Sequence, residues 1–460
     1  MNSLQHNDII AAPATALGGA IGIIRVSGAG CLDIVSKVFS KDITSAKGNT
    51  VYYGNITDSE GTTIDEVLTT VFRAPHSYTG EDSAEISCHG STYILNKVLE
   101  LLVQNGCRMA DPGEFTQRAF LNGKMDLSQA EAVADLIAST NRATHHLAVS
   151  QLRGHYSSKL AQLREQLLKL TSLLELELDF SDHEELEFAD RTQLYDLAQQ
   201  ISQHISTLAH SFETGQAIKH GIPVAIVGKT NVGKSTLLNK LLKDERAIVS
   251  DVHGTTRDTI EDTIDINGVT FRFIDTAGIR QTTDTVEQIG IERTYQAIDK
   301  ARLVLWIIDE EPTPEEQQDM ADRCKDKKLI VVCNKCDLDK NVCVPSSKQS
   351  TQLLHISAKY GTNLNELENA IYDAANLPEL SENDIIVTNA RHYDALVKAQ
   401  QSLQNVIAGL APQENGIPVS GDLLAEDLRQ TLSHLADITG GQITPQETLN
   451  NIFSHFCVGK

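Results

Sequence analysis

Residues 228–235 read Gly-Lys-Thr-Asn-Val-Gly-Lys-Ser and directly succeed the short apolar run Pro223-Val-Ala-Ile-Val227. The pattern GxxxxGK[ST], set between a strand and a helix, is a phosphate-binding loop. Glycines at 228 and 233 let successive backbone N–H groups converge on phosphate oxygens. Lys234 brings positive charge to the transferred phosphoryl group, and the Ser235 hydroxyl can ligate magnesium. A plain glycine-rich turn would share these letters, so the choice rests on the motifs further along the chain.

Those motifs form an ordered set. Asp275-Thr276-Ala277-Gly278 comes after the strand candidate Phe271–Ile274. That places Asp275 at a strand end near a metal and lets the Gly278 N–H sense a γ-phosphate. Thr255 and Thr256 are candidates for a loop that closes on magnesium. Asn334-Lys335-Cys336-Asp337 comes after the strand candidate Leu329–Cys333. A carboxylate at Asp337 accepts both N–H groups on the guanine edge. Adenine lacks that pair and would leave a buried charge unsatisfied, at a cost of ~1–3 kcal/mol or more. Ser357-Ala358-Lys359, after another short strand, completes the base pocket. The set points to GTP over ATP, and Asp337 disfavours an ATP-dependent kinase or ATPase.

Two positions bear on hydrolysis. Ras-like switches place glutamine directly after the glycine of this second motif to orient the attacking water. Here that position is Ile279, which has no polar group. Glu287 is the nearest placed substitute, although exposed glutamates are common and the residues alone leave it one candidate. Asn231, inside the phosphate loop, can hold a monovalent cation beside the phosphates in place of an arginine finger; a loop asparagine chosen for its backbone preference is the other reading.

Outward from this core the texture changes. The chain has 460 residues, so about two to four domains are expected. Residues 1–124 carry short alternating runs, such as Thr69–Phe72 and Ala84–Ser87, of α+β character. Ser128 and Glu131 have capping-box spacing before a helical stripe. Leucines recur at helical spacing from Ser157 to Leu178. Glu175 to Asp190 holds eight acidic residues, read as a solvated acidic helix end or loop. Strands Pro223–Val227, Phe271–Ile274, Leu303–Ile308 and Leu329–Cys333 alternate with helices to about Pro378, and helical patterning returns after Asn389. The order suggests one helical domain, 125–220 with 379–460, interrupted by an α/β unit at 221–378.

A net charge of −23 argues against a chain that coats nucleic acid through its overall field. The eight cysteines are scattered, which suits a reducing cytosol. Cys333 and Cys336 form a CxxC without a second pair at zinc spacing. No run reaches transmembrane length, and a cytoplasmic protein without membrane contact is expected.

Further stretches carry a resemblance. They are Ile-Ala-Ala-Pro (10–13), Gly-Ile-Ile-Arg25-Val-Ser-Gly, Ala-Pro-His-Ser-Tyr-Thr-Gly-Glu81-Asp and Glu85-Ile-Ser-Cys-His-Gly. Next come Asp-Pro-Gly-Glu114-Phe-Thr-Gln-Arg-Ala-Phe-Leu-Asn-Gly-Lys124-Met-Asp-Leu and the ending Phe-Cys457-Val-Gly-Lys460. Over essentially its whole length the chain resembles the tRNA uridine-modifying GTPase family MnmE, also called TrmE. The terminal Cys-x-Gly-Lys separates that family from ribosome-assembly GTPases.

The resemblance implies an α+β domain at 1–124 that binds tetrahydrofolate and dimerises. It also implies an α-helical bundle domain and an inserted Ras-like α/β G domain, a P-loop NTPase. It implies a potassium-stimulated GTPase acting with the flavin-containing partner MnmG, in a heterotetramer, to add an aminomethyl or carboxymethylaminomethyl group to carbon 5 of the wobble uridine of certain tRNAs. A 5-formyl- or 5,10-methylene-tetrahydrofolate would supply the one-carbon unit.

Carried over by motif, GTP/GDP contacts fall at Asn231, Val232, Gly233, Lys234, Ser235 and Thr236. They continue at Ser250, Asp251, Val252, His253, Gly254, Thr255 and Thr256, at Asp275, Thr276, Ala277 and Gly278, at Asn334, Lys335 and Asp337, and at Ser357, Ala358 and Lys359. Ser235 and Thr256 match magnesium ligands. Asn231, Ser250, Val252 and Thr255 match positions around potassium, and Glu287 matches the family's catalytic glutamate. Arg25, Glu85, Lys124 and Lys460 resemble folate contacts; for each alone, a surface charge or ion pair is the simpler reading. Cys457 is either a nucleophilic thiol beside a lysine or a buried structural one. A GTP-controlled switch that only recruits partners is the competing function, and the N-terminal motifs weigh against it.

Overall fold

The structure is a computed structural model that describes residues 8–179, 191–245, 262–274, 287–338, 352–377, 384–411, 419–441, 449, 452–454, 456 and 459. The side chains at 176–179, 243–245, 287–293 and 352 are not among those described. The chain divides into two compact units, one of residues 1–138, 151–202 and 398–460, the other of 139–150 and 203–397.

In the first unit the elements in order are β1 (Ile10–Pro13), β2 (Ile21–Ser27), α1 (Cys31–Val38), β3 (Thr50–Thr57), β4 (Thr63–Phe72), β5 (Ser83–His89), α2 (Thr92–Gln104), β6 (Arg108–Met109) and α3 (Glu114–Leu121). The strands form one sheet in the order β3-β4-β5-β2-β1-β6, antiparallel except where β1 meets β6. Alternation decides which side is covered. On β4, Val67, Thr69 and Val71 are buried with the apolar faces of α1 and α2, which supply Leu32, Val35, Leu95 and Leu102. The opposite face carries Arg25 and Glu85, which are register partners, and the exposed Ile21, Val51, Tyr53 and Leu68.

Helix α4 (Leu127–Ala138) begins two residues earlier than the Ser128–Glu131 spacing suggests. Its N-terminus is closed by Asp126: Gln129 N–H donates to Asp126 Oδ1 at 2.9 Å, and Asp126 N–H donates to Gln129 Oε1 at 3.0 Å. Ser128 instead donates its hydroxyl to the same Asp126 oxygen. A carboxylate at the cap outcompetes a hydroxyl because it carries charge toward the helix dipole. The leucine-rich stretch forms the helix His155–Asp179, whose Leu160, Leu163, Leu167, Leu170 and Leu174 are buried.

In the second unit, β7 (Ile222–Val227), β8 (Asp262–Ile266), β9 (Val269–Phe273), β10 (Leu303–Ile308), β11 (Lys328–Cys333) and β12 (Gln352–His355) form a sheet in the order β12-β11-β10-β7-β9-β8. All neighbours are parallel except β8 on β9. Every residue of β10 is buried, as expected of a parallel strand covered on both faces. The chain crosses from one side of β7 to the other, making the carboxyl end of β7 a topological switch point where ligands bind. Just before β7, Gln216 Nε2 donates to the Thr388 carbonyl at 2.7 Å, and Ser211 Oγ accepts from Val387 N–H at 3.0 Å. The stretch before β7 and the stretch after the sheet are therefore neighbours. Among the described residues no helix is long and apolar enough to cross a membrane.

Candidate functional site

The phosphate loop occupies the switch point. Residues 228–233 connect β7 to the helix Lys234–Glu245, so that helix opens directly beneath the loop. Gly228 and Gly233 have φ of 150° and 102°, and Asn231 has φ of 63°. Side chains at the two glycines would collide with the Ile307 carbonyl and the Asn334 amide, respectively. Asparagine is among the few residues that tolerate the left-handed region. Lys234 Nζ donates to the carbonyls of Gly228 and Lys229, both at 2.6 Å. Burial pulls the Lys234 ammonium below the ordinary lysine range. Phosphate oxygens offer that ammonium a stronger acceptor than two carbonyls, so a nucleotide would displace a contact already made.

The base loop is tied to the phosphate loop by one amide. Asn334 is 5% exposed. Its Nδ2 donates to the Val232 carbonyl at 2.7 Å, and its Oδ1 accepts the Ala358 N–H at 2.9 Å. Three separate segments, at 232, 334 and 358, thus meet on a single side chain. Asp337 lies in a short 3-10 turn, Cys336–Leu338. Ser357 Oγ donates to Asp337 Oδ1 at 2.6 Å, which fixes the plane of the carboxylate. Lys335, with φ of 64°, turns away and donates Nζ to Asp309 Oδ2 at 2.7 Å. Lys359 lies 5.0 Å from the centroid of the Tyr360 ring. Sequence reasoning missed the Asp309 pairing, because nothing in local spacing signals it.

Ser235 and Thr236 sit in the first turn of the helix that opens at Lys234. Glu287 begins the helix Glu287–Lys300, and its side chain lies outside the described residues. Also outside them are Ser250, Asp251, Val252, His253, Gly254, Thr255, Thr256, Asp275, Thr276, Ala277, Gly278, Cys457 and Lys460.

The N-terminal candidates gather around the segment Pro75–Glu81. Arg25 donates Nε and Nη2 to Glu85 Oε1 at 3.0 and 2.8 Å, and Nη1 to the Gly459 carbonyl at 3.3 Å. Its guanidinium lies 5.2 Å from the Tyr78 ring centroid and 5.6 Å from that of Phe115. Lys124 Nζ donates to the Pro75 carbonyl at 2.8 Å. Behind them is a buried charge network that the motif letters did not reveal. Arg118, 5% exposed, meets Asp8 at 2.6 Å, Glu114 at 3.0 Å and Glu81 at 3.2 Å. Arg108 adds bonds to Asp8 and Glu114. Burial would raise the Glu114 carboxyl, but hydrogen bonds from Arg108, the Asp111 N–H and Arg118 hold it below the ordinary value. The Glu114–Arg118 spacing of four on a helix was the one available signal.

Fold and site together define a phosphate-loop nucleotide-binding protein with a carboxylate in its base pocket. Residues 9–124 match the family described as GTP-binding protein TrmE N-terminus, and residues 127–457 match the MnmE helical domain. A "tRNA modification GTPase MnmE" of Phocaeicola vulgatus is 53% identical, over 99% of each chain. One of Bacteroides thetaiotaomicron is 54% identical over 99% of this chain and 100% of its own. The chain belongs to the MnmE (TrmE) family. Among solved structures, the G domain of the T. maritima FeoB iron transporter is similar at 22% identity, covering 34% of this chain and 98% of that one with a TM-score of 0.25.

Proposed function

We propose that the chain is a GTPase of tRNA modification, hydrolysing GTP to GDP and phosphate. With a flavin-containing partner of the MnmG kind, it would add an aminomethyl or carboxymethylaminomethyl group to carbon 5 of the wobble uridine of certain tRNAs. The observation that carries the reading is the joined pocket: Asn334 ties the phosphate loop to the base loop, and Ser357 orients the Asp337 carboxylate. A guanine edge satisfies that carboxylate, and an adenine edge does not.

In this reading Lys234 and the loop N–H groups hold the phosphates where charge develops. Magnesium would be held by Ser235 and Thr256 and would neutralise phosphate charge. Potassium would be held by Asn231, Ser250, Val252 and Thr255 beside the loop. The left-handed Asn231 backbone already accounts for an asparagine there, so the support for potassium is the match of these four positions to the family's motif. With Ile279 unable to orient water, Glu287 takes that role at the mouth of its helix. GTPase rates in potassium and sodium test the cation, and equal rates refute it. Glu287→Ala should stop turnover while GDP still binds.

A reduced folate would meet Arg25, Glu85, Lys124 and Lys460. The cationic groups suit its glutamate tail, and Glu85 suits pterin N–H groups. Arg25 and Glu85 are paired with each other at 2.8 Å, which is the simpler reading of both, so the support for folate is the joint match of these positions to the family's motifs. A homodimer through the N-terminal domain is supported by the sheet face on which Ile21, Val51, Tyr53 and Leu68 are 65, 57, 57 and 48% exposed. The domains would run 1–124, 125–220 with 379–460, and 221–378. Insertion of the last is supported by the neighbouring stretches at 211–216 and 387–388. We place the protein in the cytoplasm, in a heterotetramer with its partner. Nucleoside analysis of tRNA from cells lacking the protein tests the modification. Titration of a reduced folate onto the full chain tests the N-terminal site, and no binding would favour a recruiting switch.

A further inference from the structure

Two side chains of the base loop share one support, the segment at 357–358. Asn334 is held by the phosphate loop and residue 358, and Asp337 by Ser357. Lys335 between them reaches neither; its ammonium is held by Asp309, the residue after β10, at 2.7 Å. The pair is half-buried, with the lysine side chain 35% and the aspartate 21% exposed. Lys335 also has a left-handed backbone at φ 64°, a conformation that lysine rarely adopts unless its surroundings impose it. The connection that Asp309 begins reaches the phosphate loop as well. Seven residues on, Glu316 Oε1 accepts Lys229 Nζ at 2.8 Å, while Glu316 Oε2 accepts the Thr313 N–H of its own helix cap.

We infer that Asp309 is a positioning residue of the nucleotide site, acting through Lys335 to hold its aliphatic stem as an apolar wall for the purine face. A lysine stem packs on a flat ring only if its charged end is satisfied elsewhere. Untethered, the side chain has many rotamers and loses them on binding. Asp309 removes that cost in advance and draws the charge away from the guanine N–H groups that Asp337 must accept. The inference rests on the guanine-pocket reading.

The test uses the full chain and a displacement titration with GDP at fixed magnesium and salt. Asp309→Asn keeps the shape and removes the charge, and GDP binding should weaken about fivefold, the size of a partly exposed ion pair. Asp309→Glu should recover part of the loss. In a Lys335→Ala background, Asp309→Asn should change nothing further, an outcome that a merely structural role would not produce. Wild-type affinity in Asp309→Asn, or an equal loss with and without Lys335, overturns the inference. If Asp309→Asn does not fold, Asp309→Glu and Lys335→Met carry the same comparison, and affinities unchanged from wild type in both overturn it. Failure of the wild-type chain to bind GDP would sink the guanine reading itself, and the inference with it.

Discussion

Removing the Asn334 side chain should uncouple the phosphate loop from the base pocket. The amide is 5% exposed and makes two bonds, to the Val232 carbonyl at 2.7 Å and from the Ala358 N–H at 2.9 Å. Asn334→Ala leaves that carbonyl and that N–H buried and unsatisfied. Each such group costs about 1–3 kcal/mol, so a loss on the order of 2–6 kcal/mol is expected at the site. Both loops must be in place for a nucleotide to bind. If about 2 kcal/mol of the loss reaches the bound state, GDP affinity falls about thirtyfold. Displacement of a fluorescent GDP analogue measures this directly, and it avoids reading a two-unit chain through a single unfolding transition. Gly233→Ala supplies the cross-check. The new methyl would collide with the Asn334 amide, which cannot yield without breaking both of its bonds. It should therefore weaken GDP binding strongly alone and much less in the Asn334→Ala background, where only the strain of φ 102° remains. GDP binding by Asn334→Ala within about threefold of wild type, or strict additivity of the two changes, would refute the reasoning.

Asp337→Asn replaces an acceptor pair with one acceptor and one donor. That suits xanthine, whose carbon 2 bears an oxygen, so preference should move from GDP to XDP; retained GDP preference in competition would contradict the role of Asp337. Lys234 is held below its ordinary value of 10.5 by burial, and phosphate would raise it again. Between the lowered value and 10.5, GDP binding should therefore take up protons and weaken as pH rises. Calorimetry in buffers of different ionisation heat reads this, and the uptake should vanish in Lys234→Met. Arg118→Met strands Asp8, Glu81 and Glu114 with less positive charge, at a cost of about 3–5 kcal/mol. Glu114 sits below its ordinary 4.5, so the network stabilises above that pH and its contribution is lost as pH falls through the lowered value. Amide protection factors across residues 108–121, referred to the intrinsic exchange rate at each pH, should fall both on acidification and in the variant; unchanged protection in the variant contradicts the network's role.

Most of the G-domain sheet was legible because its signals are local, but the edge strand β8, Asp262–Ile266, was not among the strand candidates. Leu303–Ile308 is a continuous apolar run, and a strand buried on both faces requires that. The phosphate loop was legible because backbone convergence on phosphate demands glycine at fixed offsets. The start of α4 was misread by two residues, since Ser and Glu three apart recur by chance while the Asp126–Gln129 pair closes the helix. The Asp309–Lys335 and Ser357–Asp337 contacts join residues 26 and 20 apart in sequence. Such pairs arise from the order of strands in the sheet and leave no periodic trace. Arg25 and Glu85 lay in quoted motifs, but only the antiparallel register of β2 and β5 makes them partners.

Competition between GDP and ADP for the purified full-length chain, at one magnesium concentration and one salt, probes the pocket most directly. Guanine should be preferred by about a hundredfold or more, the scale on which a carboxylate covered by the bound base and left without its N–H donors discriminates. Equal affinities for the two diphosphates would contradict the assignment of Asp337, and the function built upon it.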